Sequence, residues 1–321
     1  MTIDTDAAMN IGSGQIGREV RRIVKAAEII HLEPDPEPHD KAFLARNLVQ
    51  VTLPHSNPGD DTPIWGRTNG NLTLTIKPDW MLDPDTGKPR CIGLPYGTIP
   101  RLLLFWITTE TLRQRTRRLV LGDSLSSFMR QLDLVPTGGR WGTIPRLKNQ
   151  MERLFRAKIS FDIRKHDGSA QGHEWLDMPV APKGELWWNH RQPEQGTLFG
   201  SWIELGESFY DAIIAAPVPV DLRALLALKR SPLALDLYAW STYRTHRCNQ
   251  SGRAQFIPWR GLMKQFGGDY ADVKNFKRKA KEALRKVQVV YPGLDLEDKP
   301  GGFLLRPGRT AVATSKSKRI G

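Results

Sequence analysis

Residues 98–162 constrain the fold more than any other stretch. Thr98 to Gln114 sets Leu102, Leu103, Leu104, Trp106 and Ile107 around every side of a helix that Pro100 helps to start. A helix so apolar all round must be buried. Leu125, Phe128, Met129 and Leu132 then recur at i, i+3, i+4 and i+7, one stripe on a two-turn helix that Asp123 or Ser124 can cap. A glycine turn follows, Thr137-Gly138-Gly139-Arg140-Trp141-Gly142, and Ile144, Leu147, Met151, Leu154 and Phe155 repeat the stripe. At about 100° per residue, Arg146, Asn149, Arg153 and Arg156 gather on the other side of that helix. Lys158 to Arg164 alternates strictly, Asp167-Gly168 marks a turn, and Trp175, Met178 and Val180 return in extended style. The order is that of a helix-turn-helix followed by a wing.

A second block repeats the plan. Ser231-Pro232 starts a helix with Leu235, Tyr238 and Ala239 inward, and Trp259, Leu262, Met263 and Phe266 form a short helix stopped at Gly267-Gly268. In Ala271 to Gln288, Val273, Phe276, Ala280, Leu284 and Val287 make the apolar side. Lys274, Arg278, Lys281 and Arg285 fall within roughly 60° of one another on a different side. Val289 to Tyr291 and Phe303 to Leu305, joined through Lys299-Pro300-Gly301-Gly302, are expected as the second wing.

The expected fold class is therefore α+β: tandem winged-helix domains with an N-terminal helical extension. Residues 1–40 hold an amphipathic helix and an acidic proline linker, 41–210 the first winged-helix domain, 211–313 the second, and 314–321 a basic tail. In the extension, Gln15 to Ile30 predicts a helix with Arg18, Arg21, Arg22 and Lys25 outward. The prolines of Leu32 to Asp40 make a spacer that should set this helix apart. Leu48 to Leu53 and Leu72 to Ile76 predict a small antiparallel pair after an Asn69-Gly70 turn. Leu186 to Trp188 and Leu198 to Leu205 predict further strands, and Ser208 to Pro219 should cross between the units. Gly12-Ser13-Gly14-Gln15-Ile16-Gly17 spells a dinucleotide fingerprint, but no strand precedes it and no βαβ unit follows. The hexapeptide Gly-Thr-Ile-Pro-Arg-Leu occurs at 97–102 and again at 142–147, which reads as shared helix-start chemistry.

Charge points to the partner. Lysine and arginine number 47 against 34 acids, a net charge of +13. Residues 96–165 hold 14 bases to 5 acids and residues 272–321 hold 13 to 5, so the remainder is slightly acidic. Basic helices of major-groove width with a hairpin beside each suit double-stranded DNA. Single-stranded RNA would need exposed aromatic platforms, whereas most tryptophans here fall in apolar stripes. Trp141 in the glycine turn is the exception, an expected exposed contact. The candidate DNA-binding residues are Lys274, Lys277, Arg278, Lys281 and Arg285 in the second block, with Lys299 in its wing. In the first block they are Arg140, Trp141, Arg146, Asn149 and Arg153.

Other chemistries lack their motifs. Cys91 and Cys248 offer no metal or disulfide pattern, the histidines never pair at i, i+2 or i, i+4, and no phosphate-binding G-x-x-x-x-G-K-[ST] occurs. No cofactor, no metal and no enzymatic activity is expected. Without an apolar run of membrane length or a signal peptide, the expected setting is the cytoplasm and no membrane.

Gly93-Leu94-Pro95-Tyr96-Gly97 with Pro100 to Leu104, the run Leu121 to Ser127, and above all Val135-Pro136-Thr137-Gly138-Gly139-Arg140-Trp141-Gly142 resemble the plasmid-encoded RepA-type replication initiators. The resemblance spans about Leu48 to Arg309. It implies tandem winged-helix domains that bind a plasmid origin, commonly at repeated sites. It also implies self-association, recruitment of the host initiator and replicative helicase, and residence at the plasmid within the bacterial nucleoid. A transcription repressor built on the same folds is the alternative, since a DNA-binding fold does not fix the outcome of binding. A nicking initiator with a tyrosine nucleophile would need a histidine cluster that the chain lacks.

Overall fold

The computed structural model describes residues 16–167, 170–187, 200–268 and 270–313. The glycines at 12 and 14, the Gly168 turn, strand positions 188, 198 and 199, and the tail from Thr314 lie outside the described residues. The architecture is mixed helix and sheet.

Ile23 and Ile30 are buried along α1 (Ile16–Leu32), as the helical spacing requires. The helix is not set apart, however. It packs on two helices of the second block, α7 (Leu222–Leu228) and α10 (Val273–Val290). Arg22 donates to the Ala227 carbonyl at 2.9 Å, and Glu19 pairs with Lys286 at 2.8 Å. The proline segment, expected as a spacer, is held by its own polar groups: the Glu33 carbonyl accepts from Arg223 and Asp35 pairs with Arg309 at 2.7 Å. The segment ends in a 3-10 turn at Pro38–Asp40.

A strand β1 (Lys41–Ala45) follows, then α2 (Arg46–Gln50), so Leu48 sits in a helix and not in the expected strand. The antiparallel pair forms instead between β2 (Trp65–Asn69) and β3 (Leu72–Lys77), with Gly70 at φ 59° in the turn. A small hairpin, β4 (Trp80–Leu82) and β5 (Pro89–Cys91), leads to α3 (Thr98–Gln114). Every residue of α3 from Ile99 to Thr109 is buried.

After α3 come β6 (Arg118–Gly122), α4 (Leu125–Gln131) and α5 (Thr143–Phe155). Ser124 caps α4 by accepting from the Ser127 amide at 3.1 Å. Trp106 of α3 meets Phe128 of α4 edge to face at 5.0 Å, and its indole donates to Gln131. The long hairpin of β7 (Lys158–Asp167) and β8 (Ala170–Pro179) joins β3, giving the order β2-β3-β7-β8. Pairing to β3 stops at Ile163 with Leu72, whereas β7 and β8 pair on to Asp167 with Ala170. The hairpin therefore projects past the sheet, as a wing would. β9 (Lys183–Glu185) and β10 (Ser201–Glu204) complete a second sheet, β6-β10-β9. Then α6 (Glu207–Ala215) and β11 (Pro217–Asp221) carry the chain across, and β11 pairs back with β1 from Lys41 with Asp221 to Ala45 with Pro217.

In the second block, α7 precedes α8 (Pro232–Ser251), which Ser231 caps. β12 (Gln255–Pro258), α9 (Trp259–Phe266), α10, β13 (Leu296–Lys299) and β14 (Gly302–Leu305) follow, with sheet order β12-β14-β13. The expected strand Val289 to Tyr291 is corrected: α10 runs to Val290 because Val287 and Val290 continue its buried stripe. The strand that pairs with β14 is instead Leu296–Lys299, turning at Pro300-Gly301. The tryptophan expectation also needs correction. Trp106, Trp240 and Trp259 are core, but Trp80, Trp141, Trp175 and Trp187 are exposed.

The two blocks are tied by a buried ion cluster. Arg101 of α3 donates to both Asp236 oxygens at 2.8 and 2.9 Å, and Asp236 of α8 also meets His55 at 2.7 Å. Burial alone would raise the Asp236 pKa. The Arg101 charge and the His55 and Arg101 hydrogen bonds outweigh it and hold the carboxyl at about 2. A second tie joins Gln265 of α9 to the Gln50 carbonyl at 2.6 Å.

Candidate nucleic-acid interface

α10 sorts its side chains into two faces. Phe276, Ala280, Ala283, Leu284, Val287 and Val290 are buried, and Asp272 caps the helix by accepting from the Asn275 amide at 2.7 Å. Lys274, Lys277, Arg278 and Arg285 are exposed and Lys281 is half-buried, so the apolar stripe points inward and the basic stripe out. Among the described residues, no ion pair involves Lys274 or Arg285. Arg278 reaches Glu282 at 3.0 Å, and Lys281 reaches Asp298 of the neighbouring strand β13 at 2.6 Å. Exposed pairs of this kind are worth about 0.2–1 kcal/mol, less than a charge-assisted contact to phosphate, so these cations remain exchangeable. Lys277 and Lys281 both lie over the Trp259 ring at 5.8 Å, which keeps their stems close to the body of the unit. Lys299 sits exposed beside the Pro300-Gly301 turn and pairs with Glu297.

α5 is less well matched to the expectation. Arg146 and Asn149 are exposed, but Arg153 is buried. Its guanidinium pairs with Asp60 at 2.8 Å, donates to the Leu94 carbonyl and lies 5.4 Å from the Tyr96 ring centre. That hydrogen bond from Arg153 pulls the Asp60 pKa down. Gly93, at φ 87°, lies so close that an added Cβ would stand 2.6 Å from an Arg153 nitrogen. Arg153 is thus an internal bolt between α5 and the Gly93 to Tyr96 strap, and not on the open face where its helical position put it. The strap covers one flank of α5, so its exposed residues are Pro145, Arg146, Lys148, Asn149 and Arg156, with Glu152 half-buried. Lys148 is the residue that the helical wheel left out. Its signal lies in the strap's contacts and not in α5's own sequence. Arg156 pairs with Asp79 at 2.6 Å.

The glycine turn stands at the start of α5. Thr137 and Thr143 bond reciprocally, each amide donating to the other's hydroxyl at 2.9 Å. Gly142 fits because a Cβ there would lie 2.2 Å from the Thr137 carbonyl oxygen. Between these clasped ends, Arg140 and Trp141 are exposed, Trp141 at 82%, with the guanidinium 5.1 Å from the indole centre. The projecting first hairpin adds Arg164 and Lys165, both exposed, which no helical or charge pattern in the sequence singles out.

A family model described as plasmid encoded RepA protein matches residues 94–260. The chain belongs to that family. The RepA match takes in α3, the clasped turn, α5, the β7–β8 hairpin and α8, while α10 lies beyond it. No curated protein matches the chain in sequence. Among solved structures, one of RctB domains 2–3 is similar at TM-score 0.46 and 9% identity, covering 81% of this chain and 94% of that one. A selenomethionine derivative of domains 2 and 3 of RctB gives TM-score 0.48 and 9% identity over 80% and 94%. Among the described residues, no helix is long and apolar enough to cross a membrane, and no cluster of His, Cys, Asp and Glu could hold a metal.

Proposed function

We propose that this RepA-family replication initiator acts by gripping the duplex of its plasmid origin sequence-specifically. Two winged-helix domains would do so, residues 41–210 reading with α5 and residues 211–313 with α10. One observation carries the reading: α10 buries Phe276, Ala280, Leu284 and Val287 while presenting Lys274, Arg278, Lys281 and Arg285 on its open side, next to a hairpin. A helix of that width enters the major groove, where an arginine can read a guanine edge bidentately while lysines neutralise phosphates. In this reading the protein has no catalytic step of its own. It works in the cytoplasm at the plasmid, occupies repeated sites as a self-associated form, and hands the origin to the host initiator and helicase.

The test is a footprint and salt titration on DNA from the same replicon with the double variant Lys274→Ala, Arg278→Ala. Removing two cations that meet phosphates or bases should weaken binding at least ten-fold and flatten the slope of log affinity against log salt by about one for each phosphate left unneutralised. Unchanged origin binding would remove α10 as the reading helix. Replication of an origin fragment in a host lacking the protein would favour a repressor, and a covalent adduct on supercoiled DNA would favour a nicking enzyme.

A further inference from the structure

An indole left 82% exposed at the tip of a turn is unusual for a side chain of that apolar area, and this one is not on a loose loop. The two threonines clasp the ends of the turn. Gly139 takes φ 78°, a conformation open to glycine, and Gly142 lets the backbone close against the Thr137 carbonyl. The turn is therefore a rigid mount. It stands at the first residue of α5, whose Arg146 is exposed one turn further on, so the ring stands at the mouth of the proposed reading face. The guanidinium of Arg140 beside the ring adds a cation for phosphate. A rigid aromatic plate with a cation at its edge is the pairing that stacks on nucleobases.

We propose that Trp141 stacks on a nucleobase at a deformed step of the bound origin duplex, so that binding through α5 is coupled to local unstacking of the DNA. The inference rests on the duplex-binding reading above. Flexible pyrimidine–purine steps such as TA open with least resistance, and apolar side chains inserted at such steps are a known physical route to kinked, partly unstacked DNA. The indole meets the base face, Arg140 holds the flanking phosphate, and α5 fixes the register.

The experiment uses the full chain and origin duplexes in which single adenines are replaced by 2-aminopurine, whose fluorescence rises when it unstacks. Wild type, Trp141→Phe and Trp141→Ala are compared for affinity, for 2-aminopurine signal and for permanganate reactivity of thymines. Because the ring is exposed, all three should melt within about a degree of each other. Wild type should unstack one or two positions. Trp141→Phe should retain most of that signal, and Trp141→Ala should lose it while binding roughly ten- to hundred-fold more weakly. If wild type binds and Trp141→Ala matches it in all three readouts, the inference fails and the duplex-binding reading stands. A loss of affinity with no unstacking in wild type also overturns it, as does an intact DNA signal with loss only of origin firing, which would mark Trp141 as a protein contact. If wild type binds no duplex at all, both readings fall together.

Discussion

Replacing Asp236 by asparagine tests the tie between the two blocks. Arg101 is 3% exposed, and besides the two bonds to Asp236 its guanidinium donates to the carbonyls of Pro54, Gly97 and Leu53 and to the Thr52 hydroxyl. Asparagine keeps the shape and one acceptor but leaves the buried cation without a counter-charge. Removing one partner of a buried pair costs about 3–5 kcal/mol. Linkage gives an independent figure. Holding the carboxyl at about 2 against a usual value of 3.8 corresponds to a contribution on the order of 2–3 kcal/mol. A loss of about 2–4 kcal/mol is expected, a large share of a total near 5–15 kcal/mol. The folded pKa lies below the unfolded one, so the contribution is complete above pH 3.8 and disappears as pH falls toward 2. Urea unfolding followed by circular dichroism should show the gap between wild type and Asp236→Asn at pH 7 and its closure between about pH 4 and pH 2. A gap under about 1 kcal/mol at pH 7, or one that stays constant down to pH 2, would refute the assignment.

Two further substitutions check the corrections. Arg153→Met should lower stability by about 1–3 kcal/mol through loss of the Asp60 and Leu94 bonds, with origin affinity per folded molecule unchanged in a filter-binding assay. Reduced affinity at unchanged stability would return Arg153 to the DNA-facing set. Ile23→Ala, at a site 5% exposed between α1 and the second block, should cost about 2–5 kcal/mol in denaturant unfolding. A cost near zero would show α1 to be detached, as a proline spacer alone would leave it.

The sequence was legible where local chemistry decides. The limits of α3, the cap at Ser124 and the stripe of α10 follow from apolar spacing and one hydroxyl, all within a turn or two of chain. It was not legible where a distant segment decides. Leu48 reads as strand, but the true partner of β1 is β11, about 175 residues onward, and α2 takes up Leu48 once that pairing is made. Arg153 lies on the polar side of its own helix, yet Asp60 and the Gly93 to Tyr96 strap claim it. The proline segment reads as a spacer from its own composition, but Arg309 and Arg223 pair with its Asp35 and Glu33 from across the fold.

The repeated hexapeptide separates these two regimes within six residues. At both sites the glycine precedes the helix, the proline fits its first turn, and the apolar positions go inward: Ile99 and Leu102 at 6% and 3%, Ile144 and Leu147 at 7% and 0%. The arginines part company. Arg101 is enclosed against Asp236, 135 residues away, whereas Arg146 stays in solvent. The surplus charge of residues 96–165 therefore overstates what that unit can offer to DNA, because Arg101 and Arg153 are both consumed by internal acids. α10 has no such internal claim on Lys274 or Arg285 among the described residues. If both units bind DNA, the steeper salt dependence should accordingly come from the second, and the first should contribute more through the clasped turn and its tryptophan than through ionic contacts.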